Sequence, residues 1–202
     1  MDSGNRFGDV EISDPKAMRA LAHPVRLAIL ERLQRHGPAT ASRLSPHVGA
    51  TPSVTSWHLR HLAGFGLVRD AEGGTDRRER RWAAVARGFR FEVPEDEEGR
   101  SAAQLLAGEM FARNAELPLR WLAETAPELE PEWTRLAGAN NTRIVVTADE
   151  LAALKDAMEE LIAPYVLRKQ DRRPPGGRDV RLLMYALPEG PGNEDSETDI
   201  PE

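Results

Sequence analysis

The sequence predicts a mostly helical α+β fold: a helical block closed by a β-hairpin, then a further helix and a small β-α-β unit. Three observations carry this. From Asp14 to about Gly64, apolar residues recur every three or four positions between capping residues. The period then drops to two on both sides of a Gly73-Gly74 turn. Finally, a helical pattern after Thr147 lies between two β-rich runs, 143–146 and 180–187. With 202 residues, 40% hydrophobic and 30% charged, the chain suits one ordinary domain or a small domain plus an accessory unit. Its apolar runs are too short to span a bilayer, and its acidic N-terminus lacks the apolar core of a secretory signal. It has no cysteine, which removes disulfides, thiolate metal sites and cysteine nucleophiles and fits a cytoplasmic protein.

The elements follow in order. Residues 1–13 lack periodic apolar residues and are expected to be disordered. Asp14 caps a first helix with Pro15 at its first position and Met18, Leu21 and Ala22 on its apolar face. His23-Pro24 breaks it, and Pro24 opens a second helix to about His36 with Val25, Leu27, Ile29, Leu30 and Leu33 inward. Gly37-Pro38 ends that helix. Thr40 caps a short third helix with Leu44 and Val48 inward and Gly49 as its left-handed stop. Thr51 and Pro52 start a fourth helix to about Gly64, with Thr55, His58, Leu59 and Leu62 on one face. Residues 67–70 and 80–85 read as the two strands of a hairpin, and residues 94–99 as a charged linker. Ser101 caps the next helix, which Pro118 kinks or ends, with Trp121 and Leu122 in a further turn or two. Thr147 and Glu150 form a capping box for a helix carrying Leu151, Leu154, Met158, Leu161 and Tyr165. The expected organisation is a domain at 14–92, a linker and helix at 93–142, the β-α-β unit at 143–188 and a disordered acidic tail at 189–202.

Charge is unevenly spread. The chain carries a net −6, yet residues 14–91 hold 14 Arg and Lys against 6 Asp and Glu, a net +8, and all five His. A basic block inside an acidic chain is an electrostatic footprint for a polyanion. Lysine is scarce: 24 of the 27 basic residues are Arg, so a single Arg carries little information.

Two helices joined at a tight Gly-containing turn, supported by a preceding helix and followed by a basic hairpin, make a winged helix-turn-helix. In that arrangement the fourth helix enters a DNA major groove. Opposite Leu59 and Leu62 it presents Thr51, Pro52, Ser53, Ser56, Trp57 and Arg60. The serines reach phosphates or base edges, Arg60 can bond guanine bidentately, and Trp57 offers apolar contact to a thymine methyl or packs against the backbone. The competing reading turns Trp57 inward as core; exposure is the expectation here. The hairpin adds Arg77, Arg78, Arg80 and Arg81, which beside a duplex would neutralise phosphates or enter the minor groove.

The stretches ALAHPVRLAILERL (20–33), LSPHVGATPSVTSWHLRHLAGFGLV (44–68) and RDAEGGTDRRERRWAAV (69–85) resemble, in order, the ArsR/SmtB-type winged-helix transcriptional regulators. The resemblance covers about residues 14–91. It implies a homodimer that binds an inverted-repeat operator in double-stranded DNA, usually as a repressor released by an effector, here an unidentified small molecule. It also implies a dimer interface built from the first helix and the helix after the wing. Met18, Leu21, Leu105, Leu106, Met110, Phe111 and Leu117 are the apolar positions assigned to it.

The departures narrow the reading. Metal-sensing relatives carry a Cys-x-Cys pair in the third helix or Asp/His clusters after the wing; here the third helix reads ATASRLSPHV and the later helix has no His. His58 and His61 stand three apart, as metal ligands can, but His58 is expected hydrogen-bonded at the helix packing surface. No metal site and no cofactor is expected. The chain shows no G-x-S-x-G, no P-loop and no dinucleotide fingerprint, so no catalytic residue is assigned. The alternative to a DNA-binding regulator is a winged-helix module that binds another protein. The β-α-β extension reads equally as an effector pocket, an added dimerisation surface or structural support.

Overall fold

A computed structural model describes residues 5–71, 80–168 and 172–190. The chain divides into two compact units, one to Leu167 and one from Arg168.

The first unit starts with a strand where none was expected. β1 (Val10–Ile12) pairs in parallel with β5 (Phe89–Phe91), in the register Val10 to Phe89 and Ile12 to Phe91. Ile12 is buried, so residues 10–12 are held by a ladder and a core contact instead of lacking structure, while residues 1–4 of the expected disordered stretch lie outside the described residues. α1 (Pro15–Leu21) and α2 (Pro24–His36) start at their prolines as the sequence indicates. Asp14 Oδ1 accepts from the Lys16 N–H, and His23 Nδ1 accepts from the Val25 N–H, so both helix starts have a side-chain cap. β2 (Ala39–Thr40) leads directly into α3 (Ala41–Val48), whose cap Thr40 accepts from the Arg43 N–H.

Gly49 follows at φ 67°, the left-handed conformation that lets the chain turn sharply into α4 (Pro52–Gly64). The wing is β3 (Val68–Asp70) with β4 (Arg81–Ala84), antiparallel, Asp70 opposite Trp82. β2 adds to the other edge of β4 in a three-stranded sheet, Thr40 opposite Arg81. The block is a winged helix-turn-helix in a mostly helical α+β protein. Residues 72–79, which include the expected Gly-Gly turn, Arg77 and Arg78, lie outside the described residues.

The core joins α1, α2 and α4 to the sheet and to α5 (Glu97–Glu124). Met18, Leu21, Ile29, Leu30, Leu59, Leu62, Trp82 and Leu106 are among its most enclosed side chains. Helix α5 begins four residues before Ser101. Asp96 caps it by accepting from the Gly99 N–H, with Glu97 and Glu98 favourably placed at its positive end. The charged segment 94–99 is thus partly the helix start, not only a linker. Gly99 is required there, since a Cβ would sit 2.3 Å from the Pro94 side chain. Ala102 and Ala103 are buried against α1, their small side chains allowing close approach. The helix does not stop at Pro118 but runs on to Glu124. A 3-10 turn (Ala126–Glu128) and the short α6 (Pro131–Thr134) follow.

Two expectations are corrected by this packing. Met18, Leu21 and Leu106, assigned to a dimer interface, are fully buried within the chain, because the apolar faces of α1 and α5 close on each other. Met110 is half-buried against the same core, whereas Leu105 and Phe111 remain exposed on α5 and Leu117 is half-exposed. The two strands expected of a β-α-β unit are not present among the described residues. Its helix is present as α7 (Ala148–Val166) with both arms of the Thr147–Glu150 capping box, but neither 143–146 nor 180–187 is a strand. β-branched residues favour a strand only where a neighbouring backbone completes the ladder. Neither run belongs to a sheet among the described residues, and Val145 is wholly exposed.

α7 is tied to the rest of its unit by ion pairs. Arg90 bridges Asp9 at 3.2 Å and Glu159 at 3.0 Å, and Arg6 lies 3.5 Å from Glu160. In the second unit, Arg173 holds a turn by donating to the Gly177 carbonyl and to Asp179. Most of the expected acidic tail, residues 191–202, lies outside the described residues. Among the described residues no helix is long and apolar enough to cross a membrane.

Candidate nucleic-acid interface

Helix α4 is sorted by burial as its sequence requires. Thr55, His58, Leu59 and Leu62 are buried, while Thr51, Pro52, Ser53, Val54, Trp57 and Arg60 are exposed and Ser56 is half-buried. Thr51 also has a local task, accepting from the Val54 N–H at 3.4 Å. Trp57 is 53% exposed, so it faces out. Its ring is nevertheless braced: it stacks on His61 at 5.5 Å with planes 13° apart, and His61 meets Phe65 edge-on at 5.3 Å. These residues are four apart and share one helix face. The brace limits the rotamers of Trp57, which lowers the entropy lost when the ring is covered.

Arg60 donates to Ser56 Oγ at 3.0 Å, one turn back. The two form one wall of a cavity of about 220 Å³ with Thr40, Ala41, Ser42, Arg80 and Trp82. The site therefore joins the start of α3, the outer face of α4 and the base of the wing. Helix N-termini attract anions through their free N–H groups and dipole. The Ser42 and Ser56 hydroxyls with the Arg60 guanidinium at such a point suit a phosphate oxygen. Ser42 and Thr40 were not among the expected contacts; the hydroxyl run Thr40-Ala41-Ser42 at a helix start was the available signal.

The wing residues divide. Arg80 donates to both Asp70 oxygens, at 2.5 and 2.9 Å, and lies 4.1 Å over the Trp82 ring. This hydrogen bond holds the Asp70 carboxyl below its ordinary pKa. Arg80 is thus partly neutralised within the chain, not free for phosphate as expected, because the hairpin register puts Asp70 beside it. Arg81 donates to the Pro38 carbonyl at 3.0 Å and so fastens the wing to the loop before β2.

Behind α4 lies a titratable cluster. His23 and His58 rings are 4.7 Å apart, and Trp57 meets His58 edge-on at 4.9 Å. His58 Nδ1, Thr55 Oγ1 and Arg26 Nε are buried with no hydrogen-bond partner among the described residues. His58 sits at the packing surface as expected, but its Nδ1 is not hydrogen-bonded. Burial, then His23, Arg26 and His61, lowers the pKa of His58. Burial and Arg26 lower that of His23, against an opposing pull from Glu109 of α5. Burial and Arg26 also lower that of His61. Among the described residues no group of three or more His, Asp or Glu side chains is placed to hold a metal ion.

Residues 21–71 match the family model described as a helix-turn-helix domain. No curated protein matches. Solved structures with which it aligns include the YusO protein from Bacillus subtilis, at 16% identity over 73% of this chain and 82% of that one, with a TM-score of 0.32. They also include the MarR family regulator NMB1585 from Neisseria meningitidis, at 23% identity over 70% and 79%, with a TM-score of 0.31. A transcriptional regulator homologue from Pyrococcus horikoshii OT3 aligns at 24% identity over 50% and 93%, also with a TM-score of 0.31.

Proposed function

We propose that the chain is a sequence-specific, non-catalytic transcriptional regulator of the ArsR/SmtB type, acting in the cytoplasm as a homodimeric repressor on an inverted-repeat DNA site. One observation carries this reading: the exposed face of α4 presents Ser53, Trp57 and Arg60 beside a hydroxyl- and guanidinium-lined cavity at the start of α3. Positioning would come from phosphates held at Ser42, Ser56 and the wing, including Arg77 and Arg78, with affinity drawn largely from counterion release. Discrimination would come from Arg60, Trp57 and Ser53, at roughly 1–3 kcal/mol for each good base contact. A second copy would cover the apolar residues left open on α5, namely Leu105, Phe111, Leu119 and Leu122. A small-molecule effector would then act on that dimer.

Selection of bound sites from random duplex DNA tests the reading directly and reports half-site spacing. The expected outcome is one enriched inverted repeat bound with a steep salt dependence. Arg60→Ala should flatten preference at a base pair by about 10-fold or more while leaving non-specific affinity nearly intact. An Arg60→Ala protein that enriches the same sites with the same preference would remove α4 as the reading helix. No enrichment and no salt-steep affinity would favour a protein-binding winged helix.

A further inference from the structure

The C-terminal end of α2, the Gly37-Pro38 loop and α3 enclose a second cavity, of about 390 Å³, that shares no lining residue with the interface described above. Its polar lining is Arg32, His36, Arg43 and His47, with Pro38 and the buried Leu44 as apolar walls and no carboxylate in the lining. Several arginines elsewhere are neutralised within the chain. Arg19, Arg80, Arg90, Arg113 and Arg173 each pair with an Asp or Glu. Among the described residues, the Arg32, Arg43 and His47 side chains make no ion pair or hydrogen bond. Cationic side chains gathered round a concavity repel one another unless an anion joins them. Two guanidiniums match a phosphate group best, through paired N–H donors in a fixed fork.

We propose that this cleft is a phosphate-binding site. The volume is that of a small-molecule pocket, so a phosphorylated metabolite fits, with its apolar part on Pro38 and Leu44. Because α2 and α3 both contribute, and α3 packs on α4, occupancy fixes the helix-turn-helix against its supporting helix. The same chemistry is offered by the phosphodiester backbone of a duplex. That second source rests on the DNA-binding reading; the first does not.

Inorganic phosphate is the probe, titrated into the full chain at constant ionic strength with chloride as the balance. The expected result is a saturable rise in melting temperature of about 3 °C or more at high occupancy. The rise should vanish in the Arg32→Gln/Arg43→Gln double variant while its phosphate-free melting temperature stays within about 2 °C of wild type. His47→Gln, a milder change on the exposed side of the cleft, should weaken phosphate several-fold and covers the case in which the double variant does not fold. For the second source, duplex affinity is measured against salt. A loss of about 2 from the log–log slope in the double variant assigns DNA phosphates to the cleft. An unchanged slope with the phosphate response abolished assigns a free ligand. The proposal is overturned when neither the phosphate response nor the salt slope depends on these side chains. If the chain binds no DNA at all, the function reading fails and the phosphate titration still judges the cleft.

Discussion

Helices α4 and α7 start equally well and end in opposite surroundings. Thr51 caps the first, and Thr147 caps the second with a full reciprocal box. Yet α4 buries Thr55, His58, Leu59 and Leu62, whereas no residue of α7 is buried. The difference separates two roles of sequence. Capping groups fix where a helix begins, at about 1 kcal/mol each, and apolar burial fixes how much stability depends on it. α4 is rigidly seated and can present a face; α7 is held at its surface by Arg90 and Arg6.

The sharpest test of that contrast exchanges one leucine in each helix. Leu59 is fully enclosed and Leu161 is 72% exposed. Leu59→Ala should cost about 2–5 kcal/mol by urea unfolding, and Leu161→Ala no more than about 0.5 kcal/mol. Comparable losses would mean that α7 has a buried face, as in a tightly packed second copy.

A smaller effect separates the two regions by pH. The titratable cluster belongs to the first: His23, His58 and His61 all have pKa values lowered from 6.5, burial being the largest cause. A lowered histidine stays neutral in the fold while its unfolded counterpart takes up a proton. The stability it supports is therefore complete above 6.5 and lost as pH falls below 6.5 toward the folded value. His23 adds a direct cause, since a proton on Nδ1 would displace the Val25 N–H it accepts. Unfolding free energy should be level above about pH 7 and decline between 6.5 and 5.5, before most carboxylates titrate. His58→Gln should make the decline shallower. A stability that holds or rises down to pH 5.5 would contradict the buried neutral cluster.

The same distinction explains what could be read in the chain. Asp14, Pro24, Thr40, Gly49 and Thr51 mark helix starts and stops by local chemistry, and all act where they were expected. The outer face of α4 was legible because its complement, Leu59 and Leu62, is plainly apolar. β1 and β5 were not: each is three residues long, too short to show a period, and their pairing joins distant parts of the chain. Ser42 lies off every apolar stripe, and the Asp70–Arg80 pair depends on a hairpin register that composition does not report. Met18, Leu21 and Leu106 were misassigned for another reason. A helical stripe marks a buried face identically whether the cover is the same chain or a second one.

The smallest expected effect bears on the strand that did not form. If Arg143 to Val146 were paired in a β-α-β sheet, a charge placed on its buried face would cost several kcal/mol through desolvation. The structure instead leaves Val145 100% exposed, with no ladder among the described residues. Val145→Lys should then change stability by less than about 0.5 kcal/mol, in either direction. Thr147→Ala, two residues on, supplies the internal control. It removes one arm of the capping box and should loosen the first turn of α7 by about 1 kcal/mol, read as faster amide exchange at residues 148–151. A large loss for Val145→Lys beside a silent Thr147→Ala would restore the sheet and reverse the order in which burial and capping matter in this half of the chain.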